Sequence, residues 1–366
     1  STLTGAVTGD NAGAGKAHNI LVNGAMKIAQ RDTSSTSHGY STVDMAKPYA
    51  TSHGTSVSYF QSDVASGNDC YNAGFRKAFK VAISGAGNTS NSAAYIGFYK
   101  QRIEAQDIVQ SGWKYWDPSS KLTLSFWIKS TTADTFQLQV YVDDNTKKKY
   151  NTPVSATTSW TKITKVIPGH ADININNDTG EGLAVSLVVA SGADLAGTVT
   201  QNTWVANTTA AIAASNVDTW LTAGAGNVET TGWQLEVGDT ATDFEHKSYA
   251  QDLLECKRYC HVLRGDSNDM TGAVGWCGGS DGAFPYTLPV NMRAEPSFTA
   301  EGTWRLNCPG GNGANQTSDL SWANTNLTFD AGWLYLASVS TASSAGQAAF
   351  LQFRSTDAKL IWSAEL

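Results

Sequence analysis

Leu122, Leu124, Phe126 and Ile128 alternate with Thr123, Ser125, Trp127 and Lys129. A period of two sets the first group on one face of a strand and the second group on the other. The pattern returns at Phe136, Leu138, Val140 and Val142, then stops at an Asp143-Asp-Asn-Thr146 turn. It returns again at Leu183, Val185, Leu187 and Val189. Thr157-Thr-Ser-Trp-Thr-Lys-Ile-Thr-Lys-Val-Ile-Pro-Gly169 adds a strand with Trp160 at its start and a Pro-Gly turn at its end. Strand follows strand with almost no helical period. Such a chain is all-β, an antiparallel sandwich with one packed and one wet face on each sheet.

The length of 366 residues exceeds one ordinary core and calls for two domains or one elaborate one. Charged residues make up 16%, against about a quarter in an average protein, and there are 34 glycines. That is the turn-rich, sparsely charged composition of a sandwich. The net charge of -7 leaves no footprint for nucleic acid. The one basic run, Lys147-Lys-Lys149, stands beside Asp143 and Asp144 and reads as a solvated hairpin tip. No apolar run reaches the ~20 residues of a membrane helix, and no signal peptide is visible at the start. Cys70, Cys256, Cys260, Cys277 and Cys308 are odd in number and scattered. They fit thiols kept reduced in a cytosol rather than a disulfide framework. The Asn-x-Ser/Thr triplets at Asn88, Asn177, Asn207, Asn315 and Asn326 are what chance supplies in so Asn-, Ser- and Thr-rich a chain.

Residues 1–18 are small and polar, an extended anchoring arm or a disordered one. Ile20 and Val22 alternate as in a strand before the Asn23-Gly24 turn pair. A short helix is expected within 103–109. A better one is expected over 249–263, where Leu253, Cys256 and Cys260 recur on one face. Ser248 and Gln251 have capping-box spacing, and Gly265 is its expected stop. Beyond it, residues 264–366 form a second, smaller β domain, with strands expected at 327–329, 333–336, 349–353 and 360–362.

Four blocks carry a resemblance. They are Asn19-Ile-Leu-Val-Asn-Gly24 with Gln30-Arg31, and Trp233-Gln-Leu-Glu-Val-Gly238 with Phe244-Glu-His246. Cys256-Lys-Arg-Tyr259 and Pro289-Val-Asn-Met-Arg-Ala-Glu-Pro296 complete the set. The chain resembles virion fibre and tail-fibre proteins of tailed bacteriophages that carry a carbohydrate-binding-module-like jelly roll, here over 19–248. Three positions depart from that pattern: Asp32 stands where Gly is usual, and Met45-Ala46 replaces Arg-Trp. The resemblance implies a homotrimeric structural protein of the virion surface, folded in the host cytoplasm and assembled with other virion proteins. It implies a tail- or head-fibre component that contacts a host glycan, with no membrane insertion. A purely structural decoration protein and a polysaccharide-degrading tailspike are the rivals.

No catalytic signature is present: no G-x-S-x-G elbow, no H-E-x-x-H helix, no P-loop. The chain reads as a non-enzyme, although a glycosidase needs only two carboxylates, which no motif reveals. Cys256, Cys260 and His261 invite zinc but lack the usual ligand spacing, and buried reduced cysteines explain them better. No cofactor is expected, save a structural calcium at Asp143, Asp144 and Asn145, which an ordinary hairpin also accounts for. Aromatics are the functional lead. Trp113, Tyr115 and Trp116 crowd one loop, and Trp127 and Tyr141 oppose the apolar faces of their strands. Flat rings stack on sugar C–H faces while polar side chains bind hydroxyls. A second core or a subunit interface, where aromatics are also enriched, accounts for the same five rings better.

Overall fold

The computed structural model describes residues 18–88, 93–197, 199–207, 212–213, 217–267, 269–278, 281–308, 311–312, 320–323, 331–336 and 346–366. All but the last residue of the expected arm, and the strand expected at 327–329, lie outside them.

The expected all-β sandwich forms. Its first sheet is six-stranded and antiparallel: Ser34–Ser35, Val57–Asp63, Lys77–Ile83, Gly226–Val237, Lys121–Ser130 and Thr161–Pro168, in spatial order. The second runs Trp204–Ala206, Lys148–Ala156, Asp134–Val142, Glu181–Ser191, Tyr95–Glu104 and Tyr49–Thr51. Apolar side chains from every one of these strands except Ser34–Ser35 meet in one core. Trp233 sits at its centre, stacked on Phe126 at 3.9 Å and on Tyr99 at 4.2 Å. Rings from both sheets thus bury large apolar areas against each other.

The segment with Ile20 and Val22 is not a strand. Asparagine side chains take over the work of a ladder there. Asn19 Oδ1 accepts from the backbone of Leu21 and Leu235, and its Nδ2 donates to the Trp233 carbonyl at 2.9 Å. Asn23 likewise pins Ile28 and Asp44. Such side-chain bonds compete with regular pairing and win where the chain must turn. Gly24 packs so tightly that any Cβ would overlap the Trp233 carbonyl. The first and second motif blocks are therefore one joint, made by residues 214 positions apart.

The helix spans Tyr249–Lys257 and has the expected capping box: Ser248 Oγ accepts from Gln251 N, and Gln251 Oε1 from Ser248 N. It is shorter than expected. Arg258 and Tyr259 turn the chain, and Cys260–Arg264 is a strand paired with Lys359–Ser363. That ladder, distant in sequence, satisfies the backbone while keeping Cys260 buried. Gly265 therefore follows a strand and stops no helix. The earlier short helix begins at Ala105, because residues through Glu104 belong to the preceding strand.

The C-terminal β domain holds a three-stranded sheet, Cys260–Arg264, Lys359–Ser363 and Ser297–Glu301. A seven-stranded one runs from Gly311–Asn312 through Trp304–Cys308, Gln347–Phe353, Met270–Cys277, Gly282–Thr287 and Ala331–Leu336 to Leu320–Ala323. These sheets enclose a second core around Trp304, Phe353 and Trp362.

The remaining motif residues fasten the two domains together. Gln30 bonds Asp44, and on one edge of the Cys260–Arg264 strand it donates to the Cys260 carbonyl and accepts from Val262 N. Arg31 pairs with Glu365 at 2.8 Å and donates to Ser363 Oγ. Arg258 makes a two-pronged pair with Glu104, both bonds 2.8 Å. Arg293 spans the carbonyls of Thr179 and Ala364. Bidentate guanidinium geometry suits such joints, since one side chain fixes two strands at once.

Candidate functional site

The five expected ligand residues fall in three separate places: the loop of Trp113, Tyr115 and Trp116, the cleft of Trp127 and the cleft of Tyr141. Trp113 is 1% exposed and belongs to the sandwich core, so its ring is unavailable to a ligand. The loop that bears it folds inward, with Trp113 Nε1 facing the Ser120 carbonyl. Tyr115 packs against the same core, and Trp116, 53% exposed, stands edge-on to it at 4.7 Å. Trp127 and Tyr141 lie on the outer faces of opposite sheets and line different clefts.

Trp127 lines a pocket of about 310 Å³, at the small end of the ~300–1,000 Å³ range of ligand sites. The pocket has a clear origin in the strands. Trp127 is paired with Lys162 on one side and Thr231 on the other, and Ser125 points the same way two residues earlier. The strand Gly226–Val237 bulges between Thr231 and Gln234, where Gly232 has φ +68°. A left-handed residue without a side chain is needed there, because a Cβ would come 2.6 Å from the Phe75 ring. Phe75 forms one wall. The other wall comes from the segment after Trp233, which folds back over the sheet. Gln234 and Glu236 hold that return by accepting from Glu245 N, Thr242 N and Thr242 Oγ1. Phe244 then stands edge-on to Phe75 at 4.8 Å, and His246 packs on both rings at 4.9–5.1 Å. His246 Nε2 donates to the Ala73 carbonyl, which leaves its ring as a fixed wall.

The chemistry of this pocket is mixed. Trp127 and Phe244 offer ring surface, with the buried Phe75 ring behind them, while Lys162 and Asp243 supply charge at the rim. Ser125, 3% exposed, also lines the pocket. Asp243 is the one carboxylate among the lining residues. The sequence offered Trp127, and Phe244 and His246 stood in a motif block. Phe75 carried no signal, since its place depends on Gly232 far along the chain.

Tyr141 lines a smaller cleft of about 250 Å³ together with Lys100, Gln139, Asp143 and Lys149. Lys149, expected at a solvated hairpin tip, is only 7% exposed. The chain beyond Ser191 crosses this face: Trp204–Ala206 pairs with Lys148–Tyr150, and Gln201 bonds Gln137. The acidic turn beside it is tied down by amides. Asp144 accepts from the Asn176 backbone and side chain, and Asp143 accepts from Asn207 Nδ2. Among the described residues no group of three or more His, Cys, Asp or Glu gathers as a metal site. Cys256 and Cys260 are buried free thiols whose pKa burial pushes well above normal, and His261 bonds Tyr286 instead.

A third cleft, about 520 Å³, lies between the domains. Its carboxylates Asp32 and Glu301 both hold Lys359 Nζ, at 2.8 and 2.9 Å. Its charges are spent on the joint.

No family model matches the chain, and no curated protein matches it in sequence. Solved structures match over about three-fifths of its length. A CBM4 carbohydrate-binding module aligns with 59% of this chain and 98% of its own, at 12% identity and TM-score 0.30. A family 11 carbohydrate-binding module of a Clostridium thermocellum cellulosomal cellulase aligns with the same shares, at 14% identity and TM-score 0.28. The enzymatically active domain of bacteriophage CBA120 tailspike protein 4 aligns with 60% of this chain but 21% of its own, at 10% identity and TM-score 0.31. At that distance the likenesses transfer neither ligand nor activity.

Proposed function

We propose that this chain is a non-enzymatic surface protein of a tailed-phage particle whose jelly roll binds a host glycan in the Trp127 pocket. The observation that carries the glycan reading is the pocket itself: the half-exposed rings of Trp127 and Phe244, the Ser125 hydroxyl, and one acid and one base at the rim. Ring faces suit the C–H surface of a sugar, and the polar groups suit its hydroxyls. Binding is favoured over cleavage because a glycosidase works with two carboxylates, and the pocket has one. The virion reading rests on the four sequence blocks, each of which serves here as a structural joint. Buried thiols at Cys70, Cys256 and Cys260 suit folding in a reducing host cytoplasm before assembly.

Self-association, as a homotrimer, completes the reading. The outer face of the seven-stranded sheet exposes Met270, Val274, Trp276, Trp333 and Phe350. Val274 pairs directly with Phe350, and Trp276 with Ala283 beside the Pro285–Trp333 pair, so the patch is continuous across strands. Patches of this kind mark interfaces, and several copies raise a weak glycan affinity without new contacts.

The test is binding of the purified chain to host cells and to extracted host polysaccharide, with molar mass by light scattering on the same sample. Saturable binding by a trimer is expected. Trp127→Ala removes an aromatic anchor worth ~2 kcal/mol, or roughly 30-fold in affinity. Val274→Asp with Trp276→Asp should return the mass to that of a monomer. A folded chain that binds neither cells nor polysaccharide, or a Trp127→Ala variant that binds undiminished, overturns the glycan reading. A wild-type monomer overturns the assembly.

A further inference from the structure

The outer face of the second sheet carries hydrogen-bond donors in excess. The strand register sets Arg102, Ala184, Tyr141 and Lys149 in one row across four strands. The next row holds Lys100, Ser186, Gln139 and Asn151. Arg102 is spent on Glu181 at 2.8 Å. Lys100 is not spent. Its Nζ lies 4.6 Å from the centre of the Tyr141 ring, and among the described residues it makes no hydrogen bond and no ion pair. The Tyr141 hydroxyl also has no hydrogen-bond partner among them. Asn151 is 0% exposed; its Oδ1 accepts from Gln139 Nε2 at 3.0 Å, and its Nδ2 finds no acceptor.

Two donors, the Lys100 ammonium and the Tyr141 hydroxyl, thus meet in one small cleft, and its carboxylate, Asp143, accepts from Asn207 at 2.6 Å. Burial lowers the Lys100 pKa, Arg102 and Lys47 add to the lowering, and Glu181 and Asp143 oppose it. Burial raises the Tyr141 pKa, which keeps its phenol a donor. A half-buried cation with no carboxylate in contact is costly to hold, and a ligand anion relieves that cost. Buried donors left without acceptors are rare in folded proteins and point to a missing partner.

We propose that this cleft is a second ligand site, separate from the Trp127 pocket, which takes an anionic oxygen group carried by a saccharide, with Lys100 as the residue that reads the charge. The Lys100 ammonium and the Tyr141 hydroxyl donate to the anion, while Gln139 meets a neighbouring hydroxyl. A sugar carboxylate and a sugar phosphate present the same chemistry. The two sites lie on opposite sheets, so either can fail without the other.

The experiment titrates the full chain with D-glucuronate, glucose 6-phosphate and D-glucose by calorimetry, at low and at physiological salt. At least one acid should bind about tenfold more tightly than glucose, because charge-assisted hydrogen bonds are roughly twice as strong as neutral ones. The tighter acid identifies the source of the anion. Lys100→Gln should abolish the preference with the fold intact by circular dichroism, and Trp127→Ala should keep it. Tyr141→Phe, which retains the ring, should weaken the acid about threefold. Equal binding of all three sugars, no binding of either acid, or a preference that survives Lys100→Gln would overturn the proposal.

Discussion

Arg258→Ala tests how the two domains are held. Glu104 ends a strand of the second sheet with its side chain 0% exposed, and both carboxylate oxygens accept from Arg258 at 2.8 Å. Gln106 Nε2 donates to the same carboxylate at 2.8 Å. Without Arg258 the buried charge keeps that single amide and the neighbouring Tyr259 hydroxyl. Removing one partner of a buried pair costs ~3–5 kcal/mol. The guanidinium is one-third exposed, so truncation opens the carboxylate to water and the cost falls at the lower end, about 3 kcal/mol. For a unit of this size that lowers the first thermal midpoint by about 6 °C. The assay is scanning calorimetry of four chains: wild type, Arg258→Ala, Glu104→Gln and the double variant. Because the penalty is an unpaired charge, the double variant should recover at least half of the loss. A single-variant loss under ~1 kcal/mol would place the pair among ordinary surface bridges. A double variant no better than Arg258→Ala would refute the desolvation argument.

Gly24→Ala should destabilise the sandwich by ~1–3 kcal/mol, read as an earlier urea midpoint, since the added methyl meets the Trp233 carbonyl; an unchanged midpoint would mean that the Asn19–Trp233 joint is loose. Glu365 is fully buried, which lifts its pKa from 4.5 to about 7 against the opposing pull of Arg31. The folded chain then binds this proton more tightly than the unfolded one. Its contribution to stability is therefore greatest below about pH 4.5 and is lost as pH rises to about 7. Glu365→Gln should flatten the stability profile in that window, and an identical profile in the variant would remove Glu365 as the cause.

Much of the sandwich was legible because alternation is local. The runs around Leu124, Val140 and Val185 each announce a strand within a few residues, and the Ser248–Gln251 box announces a helix start in the same way. The site was legible only in fragments. Trp127 could be placed on a face opposite the apolar set, and its neighbour in the pocket, Phe244, sat in a conspicuous block. Their meeting with Phe75 needed the bulge at Gly232, which is a property of paired strands and not of any one of them.

By itself, then, the sequence determined the class of fold, the strand faces, the capped helix and the second β domain, since each follows from spacing along a short stretch. Tertiary structure decided what covers each face. Trp113 looked like a ligand ring and became core because its loop folds inward. Lys149 looked solvated and became buried because the chain after Ser191 crosses it. Cys260 looked helical and joined a strand because its ladder partner arrives only at Lys359–Ser363. Burial is a relation between segments far apart in the chain, so periodicity can say which side chains share a face but not what will lie on it.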